Sequence, residues 1–214
     1  MVSLNVLGLM ADRQDDYATA RAVYAQAAAA CEELGDTSGL ALAMGHQGLA
    51  TAFLGDPSGA ERLSEAAVSL AGPGHTPLAW TCLQLAYVRL LQGEYLAARA
   101  LCLEVLAMPD DTDHGREWHA AALRGLASIA TATGMPERGL RLFAAAAALR
   151  PRGGGVHLTV FDGRDAEYWR GIAGAGVDEE AAVVALSAGA ELSLEQALAY
   201  ALDEPVPAGS MHGA

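Results

Sequence analysis

The segment GLATAFLGDPSGA, residues 48–60, contains the pattern that decides the fold. It has a small residue at each end, a glycine at Gly55 and a proline two positions later at Pro57. The segment ASIATATGMPERG, residues 127–139, repeats this pattern with the same spacing. Glycine is favoured just past the end of a helix, and proline is favoured at the first position of the next helix. Each segment therefore predicts two helices joined by a tight turn.

Small residues recur in phase with these turns along the first two thirds of the chain. One series consists of Ala20, Ala60, Ala98 and Gly139, spaced by 40, 38 and 41 residues. A second series consists of Gly8, Gly48, Ala86 and Ala127. Two helices approach closely only where their contact lacks bulk, so we expect the second series to mark close contacts within hairpins. We predict four helical hairpins over residues 1–150, with turns at Gly55, Gly93 and Gly134.

The composition also favours helices. Of the 214 residues 52% are hydrophobic but only 6% are aromatic, a balance that reflects Ala and Leu, which are strong helix formers. No apolar run is long enough to cross a membrane, and no basic stretch precedes an apolar one as in a secretory signal. The dispersed cysteines Cys31, Cys82 and Cys102 are typical of reduced thiols. We therefore predict an all-α protein of the cytoplasm with no membrane partner.

The repeat pattern stops at residues 150–155, RPRGGG. Three further helices are predicted beyond it, over Asp162–Gly174, Asp178–Ala190 and Ser193–Leu202. The last opens with a capping-box sequence that runs from Ser193 to Gln196. The end of a helical array needs a polar outer face to terminate its apolar stack. We therefore interpret residues 151–204 as capping helices and predict that residues 205–214 are disordered.

The pattern from Leu4 to Leu149 resembles the tetratricopeptide repeat, although its period exceeds the usual 34 residues or so. This resemblance implies an α-solenoid of stacked hairpins. Residues 136–149 and 188–202 are similar to the C-terminal end of bacterial LuxR-type transcription regulators and signalling ATPases that carry tetratricopeptide sensor regions. That similarity implies a regulatory module that senses a ligand or partner. A stand-alone relative and a piece of a larger regulator are both compatible with it.

The sequence contains no evident motif for catalysis or cofactor binding. Gly153–Gly155 lead into Val156 rather than into Lys-Ser/Thr, so no phosphate-binding loop is formed. His114 and His119 would lie about 140° apart on a helix, which argues against a shared metal ion. The net charge of −13 repels nucleic-acid phosphates. We therefore predict no metal, no cofactor and no nucleic-acid partner.

The first helix of each hairpin is expected to line the inner, concave face of such an array. The residues placed in this groove are mainly apolar, and the candidate ligand-binding set is Phe53, Trp80, Leu83, Tyr87, Leu91, Arg124 and Ser128. The aromatic members are expected to be partly exposed, and Arg124 is the main charge. An apolar groove suits an amphipathic helix of a protein partner or an apolar small molecule. We therefore predict a binding or regulatory module that holds its partner in the groove.

Three alternatives remain open at the level of the sequence. In the first, the inner face is the core of a tight superhelix and leaves no groove. In the second, the same cavity serves a small-molecule biosynthetic enzyme or a chaperone for an apolar metabolite. In the third, exposed repeat edges pack into a homodimer.

Overall fold

The computed structural model of the chain describes residues 2–72, 75–109, 115–149 and 164–203. Within these ranges the protein contains eleven α-helices and no strand, so the all-α prediction is confirmed. Eight helices form the first part: α1 (Val2–Asp12), α2 (Tyr17–Leu34), α3 (Thr37–Phe53), α4 (Pro57–Ala71), α5 (His75–Leu91), α6 (Tyr95–Leu106), α7 (Gly115–Ala132) and α8 (Pro136–Ala148). Three follow: α9 (Arg164–Ala175), α10 (Glu179–Ala190) and α11 (Leu194–Leu202).

The turns α1–α2, α3–α4, α5–α6 and α7–α8 share one backbone geometry. Gly55, Gly93 and Gly134 have φ angles of 83°, 78° and 82°, so the predicted turn positions are confirmed. This left-handed conformation ends a helix and favours glycine, which has no Cβ to clash. In all four turns the next backbone N–H donates to the carbonyl five residues back. The first turn achieves this with Asp15, at φ 60°, in place of glycine.

The close contacts within hairpins fall at the predicted small residues. A Cβ added to Gly48 would lie 3.1 Å from the carbonyl oxygen of Ala60. A Cβ added to Gly139 would lie at the same distance from the carbonyl oxygen of Ala127. Ala86, the corresponding residue of the third hairpin, is completely buried. The helices of these hairpins therefore touch through backbone and small side chains.

Tyr24 joins the first three helices. Its ring lies against Gly8 of α1, where a side chain would clash with it. Its hydroxyl donates to Oδ2 of Asp12 at 2.7 Å, and its ring stacks on His46 of α3 at 4.9 Å. Burial, with the nearby Asp12 carboxylate, raises the pKa of Tyr24. Burial lowers the pKa of His46 to about 4.

Helices α1 to α9 pack in the order of the sequence. Contacts join α3 to α5, α5 to α7 and α7 to α9, and α2, α4 and α6 each contact the helix that follows. The core runs along α5 and α7, which are buried on all sides over residues 81–88 and 118–131. This neighbour-to-neighbour packing is typical of a helical-repeat architecture. The curvature of a solenoid and a concave groove stay predictions.

Arg89 of α5 ties neighbouring hairpins together. Its guanidinium pairs with Glu61 of α4, and it lies 2.7 Å from Glu65 of the same helix. It also lies 2.7 Å from Glu94 in the α5–α6 turn. One side chain thus connects α4, α5 and the start of α6.

All three cysteines are buried, at 1% exposure or less. Cys31 lies in α2, Cys82 in α5 and Cys102 in α6. Burial, with a smaller contribution from Glu104, raises the pKa of Cys82 to about 12. Burial also raises the pKa of Cys102 to about 12. The thiols therefore stay protonated in the core.

The three C-terminal helices pack on α8. They begin and end within two residues of their predicted bounds. The capping box at α11 is confirmed, because Ser193 accepts from the Gln196 backbone at 3.2 Å and Gln196 accepts from the Ser193 backbone at 2.9 Å. Val183 and Val184 of α10 are exposed, so the outer face is less polar than a cap requires.

Several predictions fall on residues outside the described ranges. They are the disordered tail at 205–214, the start of the capping region at 151–163, and the loop residue His114. The division of the chain into hairpins and cap stays a prediction.

Candidate functional site

Four of the seven residues predicted to line a groove lie in the core. Leu83 and Tyr87 of α5 are 0% and 2% exposed, and Arg124 and Ser128 of α7 are 7% and 1% exposed. The hydroxyl of Ser128 donates to the carbonyl of Arg124 at 3.0 Å, within their own helix. Because α3 and α7 flank α5, the middle of its predicted groove face is covered. Tyr87 therefore departs from the exposed aromatic that we expected.

The other three predicted residues retain solvent-exposed surface. Phe53 is 37% exposed, Leu91 is 44% exposed and Trp80 is half-buried. Trp80 and Leu91 share one face of α5, but they lie about 16 Å apart along the helix axis. The structure thus gathers Phe53, Tyr87 and Leu91 at one end of α3 and α5 and leaves Trp80 away from them.

Three aromatic rings form a row at this end of the helices. Phe53 stacks on Tyr17, the first residue of α2, with ring centroids 4.5 Å apart and an interplanar angle of 14°. On its other side Phe53 packs against Tyr87 at 5.9 Å. Leu91 lies one helical turn beyond Tyr87, and the exposed Leu54 follows Phe53 in the chain. We call these five residues the aromatic platform.

The aromatic platform is almost entirely apolar. The polar atoms of its five side chains are the two tyrosine hydroxyls, and that of Tyr17 donates to Oδ1 of Asp15 at 2.9 Å. Such a surface can bury apolar area of a partner, but these side chains offer no acid–base pair or metal ligand set. Its chemistry is therefore that of binding.

The turns beside the aromatic platform are acidic. Asp15 and Asp16 lie in the α1–α2 turn and Asp56 lies in the α3–α4 turn, and all three are exposed. Hydrogen bonds from the side chain and the backbone of Thr19 lower the pKa of Asp16, so its charge persists in mild acid. A negative rim therefore borders the apolar surface.

Sequence reasoning missed two members of the aromatic platform, Tyr17 and Leu54. Tyr17 belongs to the repeat pattern of the first hairpin, and it occupies the position held by Pro57 and Pro136 at the start of α4 and α8. A hairpin turn predicted at Asp15 would have placed it beside the end of α3. The α1–α2 turn has Asp15 in place of a glycine, so the sequence pattern did not identify this turn.

Among the residues that the structure describes, no group of three or more His, Cys, Asp or Glu side chains is arranged to hold a metal ion. No helix within the described ranges combines the length and the apolar character that a membrane span requires.

Comparison with known proteins gives no relative. No protein-family profile, curated protein or solved structure matches the chain. The resemblance to tetratricopeptide sensor regions therefore stays a prediction.

Proposed function

We propose that this chain is a binding module that holds a basic amphipathic helix of a protein partner on the aromatic platform. The partner's apolar face covers Phe53, Leu54 and Leu91, and its basic residues lie over the acidic turns. The helical-repeat architecture supports this assignment because such folds present extended surfaces to partners.

The main support for the proposal is that the Phe53 ring is held by its neighbours and is still partly exposed. The ring is held between Tyr17 at 4.5 Å and Tyr87 at 5.9 Å, yet 37% of the residue remains exposed. A side chain already fixed by its neighbours loses little conformational entropy when a partner covers it. Aromatic rings of this kind dominate binding energy because they bury a large apolar area.

Charge decides the class of helix that the surface accepts. Asp15, Asp16 and Asp56 lie at its border, and the chain as a whole carries a net charge of −13. Lys and Arg residues beside the apolar face of the partner would be attracted to this border, and Glu or Asp would be repelled. Such complementarity mainly raises the association rate and falls as salt screens the charges.

The test uses two fluorescent synthetic helices with Leu at positions i, i+3, i+4 and i+7. One carries Lys at its remaining positions and the other carries Glu. We expect the Leu/Lys helix to bind and the Leu/Glu helix not to bind, as measured by fluorescence anisotropy. Phe53→Ala should weaken binding by about 2 kcal/mol, roughly 30-fold in Kd.

Leu34→Ala provides the matched control for Leu91→Ala. Leu34 is an exposed leucine at the end of α2, a helix end that bears no platform residue. An acidic protein attracts any cationic peptide, so dependence on Phe53 and Leu91 is the decisive result. Equal affinities for all three variants and the unchanged protein would contradict the proposal. Dimerisation through the aromatic platform would appear instead as a mass change in light scattering that Phe53→Ala abolishes.

The alternative of an enzyme or chaperone requires a cavity among Trp80, Tyr87 and Arg124. Tyr87 and Arg124 are buried, at 2% and 7% exposure, so these two side chains present little surface to a ligand. The binding proposal is therefore the one that the exposed surface supports.

A further inference from the structure

A cavity separate from the aromatic platform lies where α8, α10 and α11 meet. These helices enclose an open cavity of about 370 Å³, which is within the range of small-molecule sites. Its apolar wall consists of Val184 and three alanines of α10, and Tyr200 of α11 contributes an aromatic ring. None of these residues belongs to the aromatic platform.

Arg141 of α8 supplies the positive charge of the cavity. Its guanidinium lies over the Tyr200 ring, 5.0 Å from the centroid. Among the described residues no carboxylate lies within ion-pair distance of it, and its buried Nε has no hydrogen-bond partner there. Stacking on a ring occupies the face of a guanidinium and leaves the in-plane N–H groups able to bind a carboxylate through two hydrogen bonds.

Arg138, one turn earlier on α8, has a different role. It lies 4.5 Å from the centroid of the same ring and donates to the backbone carbonyl of Tyr200 at 2.6 Å. It therefore holds the end of α11 in place, and the ring that it fixes forms a rigid support for Arg141.

Negative charges complete the lining. Glu137, Asp178 and Glu180 line the same cavity, and all three are exposed. Asp178 caps α10 through a hydrogen bond from the Ala181 backbone at 2.8 Å. Three carboxylates and one guanidinium in the same lining disfavour a simple anion, and a simple cation would leave Arg141 unused.

We propose that this cavity binds a zwitterionic amino acid with an apolar side chain. The ligand's carboxylate pairs with Arg141 and its ammonium group lies among Glu137, Asp178 and Glu180. Its side chain packs on Val184, the alanines of α10 and Tyr200. Leucine is the probe that matches this combination of charges and shape.

The test is calorimetric titration of the whole protein with L-leucine up to millimolar concentration. Glycine probes the apolar wall, leucinamide lacks the carboxylate, and 4-methylpentanoate lacks the ammonium group. We expect leucine to bind most tightly and each of the other three to bind at least about tenfold more weakly, since each loses one of the three contacts. No binding by leucine, or equal binding by leucinamide or 4-methylpentanoate, overturns the proposal.

Three variants localise the site. Arg141→Gln should weaken leucine binding by about tenfold or more, the loss of one charge-assisted pair. Val184→Ser should weaken leucine but not glycine, and it should not disturb folding because Val184 is 61% exposed. The control is Arg62→Gln, at an exposed arginine of α4. Circular dichroism checks that all three remain folded, and leucine binding that survives Arg141→Gln unchanged would place the ligand elsewhere.

Discussion

At the scale of single residues, glycines mark the points where helix backbones touch. Gly189 of α10 lies against the backbone carbonyl of Arg141 and the methyl group of Ala144, both on α8, and a Cβ would clash with them. Gly171 of α9 has no neighbour in the corresponding direction within 4 Å among the described residues. Both glycines lie within helices, so a comparison of their alanine variants separates the effect of packing from the effect of helix propensity.

Gly189→Ala is expected to destabilise the protein by about 1–3 kcal/mol, because α10 must move off α8. Gly171→Ala is expected to stabilise it by up to about 1 kcal/mol, the gain in helix propensity without a clash. Urea denaturation of both variants measures the two free energies of unfolding. A stabilising Gly189→Ala would show that the contact between α8 and α10 is looser than described.

His46 makes stability depend on pH. The ordinary histidine pKa is 6.5, and burial lowers that of His46 to about 4. As the pH falls below 6.5, His46 becomes protonated in the unfolded chain but stays neutral in the native protein. The free energy of unfolding therefore decreases between about pH 6.5 and pH 4. Because His46 as a residue is half-buried rather than fully buried, we expect a loss of about 1–3 kcal/mol.

The carboxylates of the protein titrate in overlapping ranges, so the His46→Gln variant is needed for comparison. Urea denaturation of both proteins at neutral and at mildly acidic pH isolates the histidine contribution. The unchanged protein should lose more stability on acidification than His46→Gln. Equal losses would show that the ring accepts a proton in the native state as readily as in the unfolded one.

At the scale of helices, the connection between hairpins depends on charge as well as on apolar packing. The Arg89 side chain is 15% exposed and reaches Glu61, Glu65 and Glu94. Networks of this kind contribute more than isolated surface pairs, since one fixed guanidinium serves several carboxylates. Without Arg89 three negative charges would face each other between α4 and the α5–α6 turn.

Arg89→Met keeps most of the aliphatic stem and removes the charge, and we expect it to cost about 1–2 kcal/mol. Arg62→Met, at an exposed position of α4, should change stability by less than about 0.5 kcal/mol. Thermal denaturation at low and high salt provides the measurement. The difference between the variants should shrink at high salt, and a salt-independent difference would show that screened charge attraction is not the source of the effect.

At the scale of the whole molecule, helices α1 to α9 contact mainly their neighbours in sequence. The principal contact of α1 is with α2, whereas α7 contacts α5, α6, α8 and α9. Stability in such an array is a sum of local and nearest-neighbour contributions. Damage at one end should therefore leave the other end folded.

Gly8→Leu tests this independence, because a side chain at Gly8 would clash with the Tyr24 ring. We expect hydrogen exchange to speed up in α1 and α2 while the amides of α7 and α8 keep their protection. Mass spectrometry of peptic fragments resolves the two regions. Equal loss of protection in both would show that the molecule unfolds as one cooperative unit.

Local features of this fold were predictable from sequence, whereas the burial of the candidate site was not. Gly55 and Pro57 fix their turn through their own backbone preferences, so the pattern alone identifies it. Phe53 and Tyr87 are both aromatic residues on first helices of hairpins, yet one is exposed and the other is buried. Their difference arises from the helices that cover α5. Contacts such as that between Arg141 and Tyr200 likewise depend on how distant segments pack.

The native protein should give almost no background in thiol labelling, because Cys31, Cys82 and Cys102 are buried. Maleimide dyes react with thiolates that they can reach, and these three thiols are both covered and protonated. A single cysteine introduced by Leu91→Cys or Val184→Cys would then take up the dye alone. A change in the fluorescence of the dye would then report occupancy of the aromatic platform or of the cavity. No native residue of the core would have to be replaced.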